Sequence, residues 1–153
     1  MQTGGPLVLS LLSILPVAFG AGYDRDAFSY RSYKPDSVVG AYTGERCDIV
    51  NIDHVVSLKD AYESGAKYWT DAKKAVFAND LENHLPSCSR VNSSKGSAGP
   101  RDFLRRSSDG RGLEYQLIDF CGYVVVYHAV KKKYGLTFNT NDPRLFKNCG
   151  LEI

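Results

Sequence analysis

Two neighbouring residues, Asp53 and His54, carry functional groups suited to acid–base and metal chemistry. The Asp53 carboxylate is a hard oxygen ligand, and the His54 imidazole, with a reference pKa of about 6.5, can act as a base at neutral pH. The side chains of neighbouring residues at the end of a strand point to opposite sides. One of the two can therefore face a metal ion and the other an attacking water. Further along, Asn92 offers an amide oxygen that suits Mg²⁺, Mn²⁺ or Ca²⁺. Alone, the Asp-His pair is a weak signal, because most such pairs are surface hydrogen bonds.

The segments around this pair predict a strand followed by helices. Residues 47–52 form a short β-prone run that leads directly into the pair. Ser57 can cap a helix that ends at Gly65, and a second helix is predicted after Thr70. Residues 81–90 have no helical period and are predicted to be extended.

The rest of the chain is predicted to alternate between irregular segments and short helices. Residues 91–96 predict a short helix, 96–112 a long surface loop, and 136–153 an irregular tail. Helical spacing from Leu117 to Lys133 favours a helix, although part of it is also β-prone. Residues 23–45 predict an irregular arm whose aromatic side chains pack on the domain: Tyr23, Phe28, Tyr30, Tyr33 and Tyr42.

The Asp-His pair belongs to a longer set of short motifs in a fixed order. These are Asn51 to Ala61, Ser64-Gly65-Ala66, Trp69, Phe77 to Asp80, Asn83, and Asn92 to Gly96. This order resembles the exported branch of the HNH (His-Me finger) endonucleases, which are related to the C-terminal nuclease domain of GmrSD-type restriction enzymes. The resemblance spans roughly residues 40–105. It implies an α+β fold with a ββα-metal core, in which a helical insertion, Ser57 to Asn79, separates the two strands.

The resemblance also implies a role for each matching residue. His54 would be the general base, and Asp53 and Asn92 the two metal ligands. Asn83 would brace the loop that holds His54, and Lys95 would contact phosphate or the scissile group, with a helix-end cation as the equal alternative. The divalent ion is expected to be Mg²⁺, with Mn²⁺ or Ca²⁺ as alternatives, and water and substrate phosphate would complete its coordination.

His84 follows Asn83 and is a further candidate, but strand alternation turns the two side chains apart, so we expect it to be structural or exposed. Arg90 and Arg101 are candidates for phosphate binding. They belong to a locally basic stretch that suits phosphate contacts, although composition alone favours a solvated loop. The basic residues of this stretch are Arg90, Lys95, Arg101, Arg105, Arg106 and Arg111.

Four cysteines in a chain of 153 residues predict two disulfides and an oxidising compartment. Three pairings are possible. We favour Cys47 with Cys88 and Cys121 with Cys149, because each bond then closes one half of the chain.

The N-terminal residues predict export. Residues 1–20 contain an apolar run too short to span a membrane, followed by small residues at the expected cleavage site, although no Lys or Arg precedes the run. Residues 21–153 are expected to form a single soluble, extracellular and monomeric domain. The net charge of +2 says little about partners.

The sequence therefore predicts a secreted, metal-dependent endonuclease acting on DNA, with RNA as a further substrate, at low sequence specificity. The rival hypothesis is a catalytically inactive, disulfide-stapled binding or effector module of the same fold. The absence of the third histidine of the HNH name motif favours the rival, and the joint presence of base, ligand and bracing residue favours the enzyme.

Overall fold

The computed structural model describes residues 22–153, which form helices and one two-stranded sheet. The predicted export signal, residues 1–20, lies outside the described residues. The α+β class is confirmed. The strands are β1 (Val50–His54) and β2 (His84–Cys88). The α-helices are α1 (Leu58–Glu63), α2 (Asp71–Ala78), α3 (Ser89–Lys95), α4 (Pro100–Arg106), α5 (Phe120–Tyr134) and α6 (Pro143–Asn148). Short 3₁₀ turns occupy Asp26–Phe28, Ala66–Tyr68 and Leu81–Asn83.

The two strands pair antiparallel, and α1 and α2 lie between them in the chain. In this register His54 pairs with His84, and Val50 pairs with Cys88. The strand β1 begins three residues later than the predicted 47–52 run. It includes the Asp-His pair itself, because its pairing with β2 continues to His84, the first residue of β2. Helix α3 begins directly after β2, so the order of these elements is strand, two α-helices, strand, helix.

Local capping signals explain where the helices begin and end. The Ser57 side chain accepts a hydrogen bond from the Asp60 amide at 3.0 Å, and the Thr70 side chain accepts one from the Lys73 amide at 3.3 Å. Gly96 ends α3 with a φ of +53°, a conformation that favours glycine. These helices are confirmed, as is the long predicted helix, now α5.

Within residues 22–153, no helix is long and apolar enough to cross a membrane.

Both favoured disulfides are confirmed. Cys47 bonds to Cys88, which connects the segment before β1 to the end of β2, and Cys121 bonds to Cys149, which connects α5 to the residue after α6. A side chain at Gly40 would place its Cβ 2.9 Å from both the amide nitrogen and the sulfur of Cys88. Glycine is therefore required where the arm crosses the first disulfide.

Two segments predicted to be irregular contain helices. The predicted loop 96–112 contains α4, which begins at Pro100 and buries Phe103 completely. The predicted irregular tail contains α6, which begins at Pro143 and buries Phe146 completely. Each prediction was wrong for the same reason: proline is favoured in the first turn of a helix, and one buried aromatic side chain anchors a helix too short to show a periodic pattern.

A buried ion pair connects α5 to α1. The Lys131 ammonium lies 3.1 Å from the Asp60 carboxylate and donates hydrogen bonds to the Ser64 hydroxyl and the Thr137 carbonyl. The Tyr127 hydroxyl donates to the other carboxylate oxygen at 2.6 Å. Burial lowers the pKa of Lys131, and Asp60 opposes that shift. The charge of each partner is thus tolerated in the interior because the other partner is present.

Replacing Lys131 by methionine should lower the free energy of unfolding by about 3 to 5 kcal/mol, because Asp60 is left as an uncompensated buried charge. Lys133→Met is the matched control, since this lysine pairs with Asp80 and Glu82 at the surface. The Lys133→Met variant should lose much less free energy of unfolding. Urea unfolding of the oxidised proteins measures both values, and equal losses would contradict the structural role of the buried pair.

Candidate active site

The ring of His54 is held in one tautomer by the end of α2. Its Nε2 atom lies 2.8 Å from the carbonyl oxygen of Ala78, the last residue of that helix. Carbonyls at a helix C-terminus lack an intrahelical partner and accept bonds from elsewhere. Because a carbonyl only accepts, Nε2 carries the proton, and Nδ1 of the neutral ring is the acceptor. Nδ1 has no hydrogen-bond partner among the described residues.

The electrostatic surroundings keep this imidazole neutral. Burial lowers the pKa of His54 to about 4, although the bond to the Ala78 carbonyl raises it. The positive charges of Arg25 and Lys95 also lower the pKa. At neutral pH the ring is therefore in the form that can accept a proton.

Asn83 fixes the backbone immediately after His54. Its side-chain oxygen accepts from the amide of Val56 at 2.8 Å, and its side-chain nitrogen donates to the Val56 carbonyl at 3.0 Å. The main-chain carbonyl of Asn83 accepts from the amide of Val55 at 2.8 Å. Asn83 is fully buried, so these bonds are shielded from competition by water.

His84 lies beside His54 but differs from it in hydrogen bonding. The ring centroids are 4.7 Å apart, and the Nε2 atom of His84 also donates to the Ala78 carbonyl, at 3.0 Å. The Tyr33 hydroxyl lies 3.1 Å from the Nδ1 atom of His84 and donates to it in this tautomer. Both ring nitrogens of His84 are thus occupied. This arrangement supports a structural role, and the ring is buried rather than exposed.

Asp53 and Lys95 form a second buried ion pair. The Lys95 ammonium lies 2.9 Å from Oδ2 of Asp53 and donates to the main-chain carbonyl of His54 at 2.9 Å. The Tyr42 hydroxyl donates to the same Oδ2 at 2.5 Å, and burial raises its pKa well above the usual value, so it stays a donor. Lys95 is fully buried. Because none of its surface is accessible to a phosphate, the geometry does not favour the expected phosphate contact. Lys95 is the last residue of α3, so the alternative of a helix-end cation fits better, with Asp53 as its buried partner.

The donors available to a divalent cation are one carboxylate oxygen and one amide oxygen. Both bonds to Asp53 engage Oδ2, which leaves Oδ1 without a donor from residues 22–153. The side chain of Asn92 makes no hydrogen bond to the described residues, and it lines the same cleft as Asp53 and His54. No group of three or more His, Cys, Asp and Glu side chains is assembled for a metal within the described part of the chain. The donor set therefore fits an ion such as Mg²⁺ that retains much of its water.

The cleft in front of His54 has a volume of about 350 Å³ and carries basic side chains at its rim. Arg25 comes from the N-terminal arm, and Lys59 from α1. Sequence reasoning missed both. Arg25 reaches the cleft only because Phe28 of the arm is buried against Phe77 of α2, with ring centroids 6.3 Å apart. The sequence predicted that Phe28 packs on the domain, and this is confirmed, but no local signal indicated that its partner is α2.

The two arginines predicted to bind phosphate line two different clefts, and neither lines the His54 cleft. Arg90 donates to Glu45 at 2.5 Å and lines a separate cleft beside the Cys47–Cys88 disulfide, not the His54 cleft. Arg101 lines a cleft of about 250 Å³ that shares Ser97 with the His54 cleft. The structure therefore brings Asp53, His54 and Asn92 together in one cleft, and Asn83 supports the backbone next to His54. Arg101 lines an adjoining cleft, and Arg90 lines a separate one.

Comparison with known proteins gives one partial similarity. An uncharacterized secreted protein of Arthroderma benhamiae is 45% identical over 56 residues, which are 35% of this chain and 28% of that protein. The chain thus spans well under half the length of the relative it matches. No protein-family model matches the chain. No solved structure matches it either. Together with the two disulfides, the secreted relative supports the predicted location: this chain is a secreted, extracellular protein with an α+β fold.

Proposed function

We propose that this protein is a metal-dependent endonuclease of the His-Me finger class that hydrolyses phosphodiester bonds of DNA, and of RNA as a further substrate, with low sequence specificity. The observation that carries the proposal is the state of His54. A neutral ring with its Nε2 proton tied to the Ala78 carbonyl leaves Nδ1 as the acceptor, in a residue that lines a cleft with Asp53 and Asn92. A general base for water requires this arrangement.

The order of elements supports the class. In this proposal, β1, β2 and α3 form the ββα-metal core: β1 ends in the base, and α3 carries Asn92. Helices α1 and α2 form the insertion between the strands, and α2 supplies the carbonyl of Ala78 that selects the tautomer.

In the proposed reaction, Nδ1 of His54 removes a proton from a water molecule, the water oxygen attacks phosphorus, and the bond from phosphorus to the 3′ oxygen breaks. The leaving 3′ oxygen takes up a proton from solvent, and His54 releases its added proton to solvent. The backbone contacts of Asn83 hold His54 in place during this step. Arg25 and Lys59 attract the phosphate backbone to the cleft. A divalent cation held by Asp53 and Asn92, when bound, would offset the charge that develops on the leaving oxygen.

One observation favours the rival hypothesis of an inactive binding module. Lys95 already neutralises Asp53 at 2.9 Å, and a cation so close to a ligand weakens the attraction of that ligand for a metal ion. Dependence on metal therefore separates the two candidate functions.

Replacing His54 by alanine should slow plasmid nicking by about 10²- to 10⁴-fold, because the general base is lost. His128→Ala is the matched control, since this histidine lies on α5 and bonds to the Glu152 carbonyl outside the cleft. Circular dichroism of the oxidised variants checks that both remain folded. Undiminished nicking by folded His54→Ala would refute the assignment of the base.

Removing divalent metal with EDTA should abolish nicking, and Mg²⁺ should restore it. Asn92→Ala should raise the Mg²⁺ concentration for half-maximal rate by about tenfold or more, because one of two protein ligands is lost. Asn148→Ala, at an exposed position on α6, should leave this concentration unchanged. Metal-independent nicking would contradict the metal site, and folded wild-type protein that cuts neither DNA nor RNA would favour the binding module.

A further inference from the structure

A second cleft adjoins the His54 cleft, and we call it the arm cleft. Its volume is about 530 Å³, and Arg25, Ile52 and Asn92 line both clefts. The remaining wall comes mainly from the N-terminal arm, including Tyr30, Tyr33, Lys34 and Pro35. None of the residues that line it is acidic, and two are basic. The arm cleft therefore combines aromatic surface with positive charge, directly beside the proposed scissile site.

The aromatic wall is fixed in position before any ligand binds. Tyr30 packs edge-on against the ring of His54, with centroids 4.6 Å apart. The arm is also tied to the end of α2, because Asn79 accepts from the amide of Arg31 and donates to the carbonyl of Ser29. A ligand that binds here loses little affinity to ordering the protein.

Tyr33 presents ring surface without having to break a bond. The residue is 45% exposed while its hydroxyl bonds to His84. An exposed, anchored tyrosine ring next to Lys34 and Arg25 suits a planar ligand that carries phosphate. In single-stranded nucleic acid, bases stack on aromatic side chains while cations follow the backbone. In a duplex the base faces are stacked on one another and cannot reach such a ring.

We propose that the arm cleft binds an unpaired nucleobase next to the scissile phosphate, so that the substrate class is single-stranded or locally unpaired nucleic acid. The proposal rests on the proposed nuclease function for the identity of the neighbouring site. The arm cleft supplies the stacking surface, and the His54 cleft receives the adjacent phosphate.

The test measures binding in EDTA, so that no strand is cut. Fluorescence anisotropy of the oxidised full chain compares a short oligothymidylate, an abasic strand of the same length and charge, and a duplex of that length. The oligothymidylate should bind about tenfold or more tightly than the abasic strand, and more tightly than the duplex. Equal affinities for the first two strands would overturn the proposal.

Variants at one position separate stacking from the hydroxyl bond. Tyr33→Leu should abolish the preference for the base-containing strand, whereas Tyr33→Phe should keep it, because the ring remains. Tyr68→Leu, at an 82% exposed tyrosine that does not line the arm cleft, should keep it as well. Thermal unfolding checks each variant. If Tyr33→Phe loses the preference as fully as Tyr33→Leu, the bond to His84 is responsible and stacking is refuted.

The cutting assay keeps the two proposals distinguishable. Base-dependent binding by a protein that never cuts would refute the nuclease and support the arm cleft. Metal-dependent cutting with equal affinity for abasic and base-containing strands would refute the arm cleft and support the nuclease.

Discussion

The buried ion pair between Lys95 and Asp53 is the interaction on which the rest of the cleft depends. Leaving one of these charges unpaired in the interior would cost about 3 to 5 kcal/mol, so each requires the other. Lys95 is the last residue of α3 and also donates to the main-chain carbonyl of His54, which fixes α3 against the end of β1. The pair therefore sets the position of the helix that carries Asn92 relative to the strand that carries Asp53 and His54.

The α-helix that precedes β2 contributes one carbonyl group that sets the same tautomer in two adjacent histidines, and a tyrosine of the arm then makes the two rings different. Ala78 ends α2 and accepts from Nε2 of both His54 and His84. Both rings therefore have the same tautomer. The Tyr33 hydroxyl donates to Nδ1 of His84, whereas no described residue bonds to Nδ1 of His54. Two identical residues thus acquire different chemistry from one hydroxyl group, which the arm supplies.

Local signals in the sequence were sufficient where one residue determines the outcome. Ser57 caps the helix that it was expected to cap, and Thr70 caps the helix that was expected to follow it. The even cysteine count indicated two disulfides, and the favoured pairing among the three possible ones is the observed pairing. Contacts between distant segments left no comparable signal. The burial of Lys95 depends on Asp53 in another element, and the approach of Arg25 depends on how the arm packs. A periodic hydrophobic pattern also cannot indicate a helix as short as α4. This helix is stabilised by the tertiary contacts of the buried Phe103 side chain.

The arm and α2 act as one unit in positioning the proposed chemistry. Phe28 is fully buried against α2, and Asn79 at the end of that helix holds the arm backbone on either side of Tyr30. The same helix end presents the Ala78 carbonyl to His54. A displacement of α2 would therefore move the arm cleft and release the tautomer of His54 together. In the proposed mechanism, recognition of an unpaired base and activation of water would therefore both depend on the position of this one helix end.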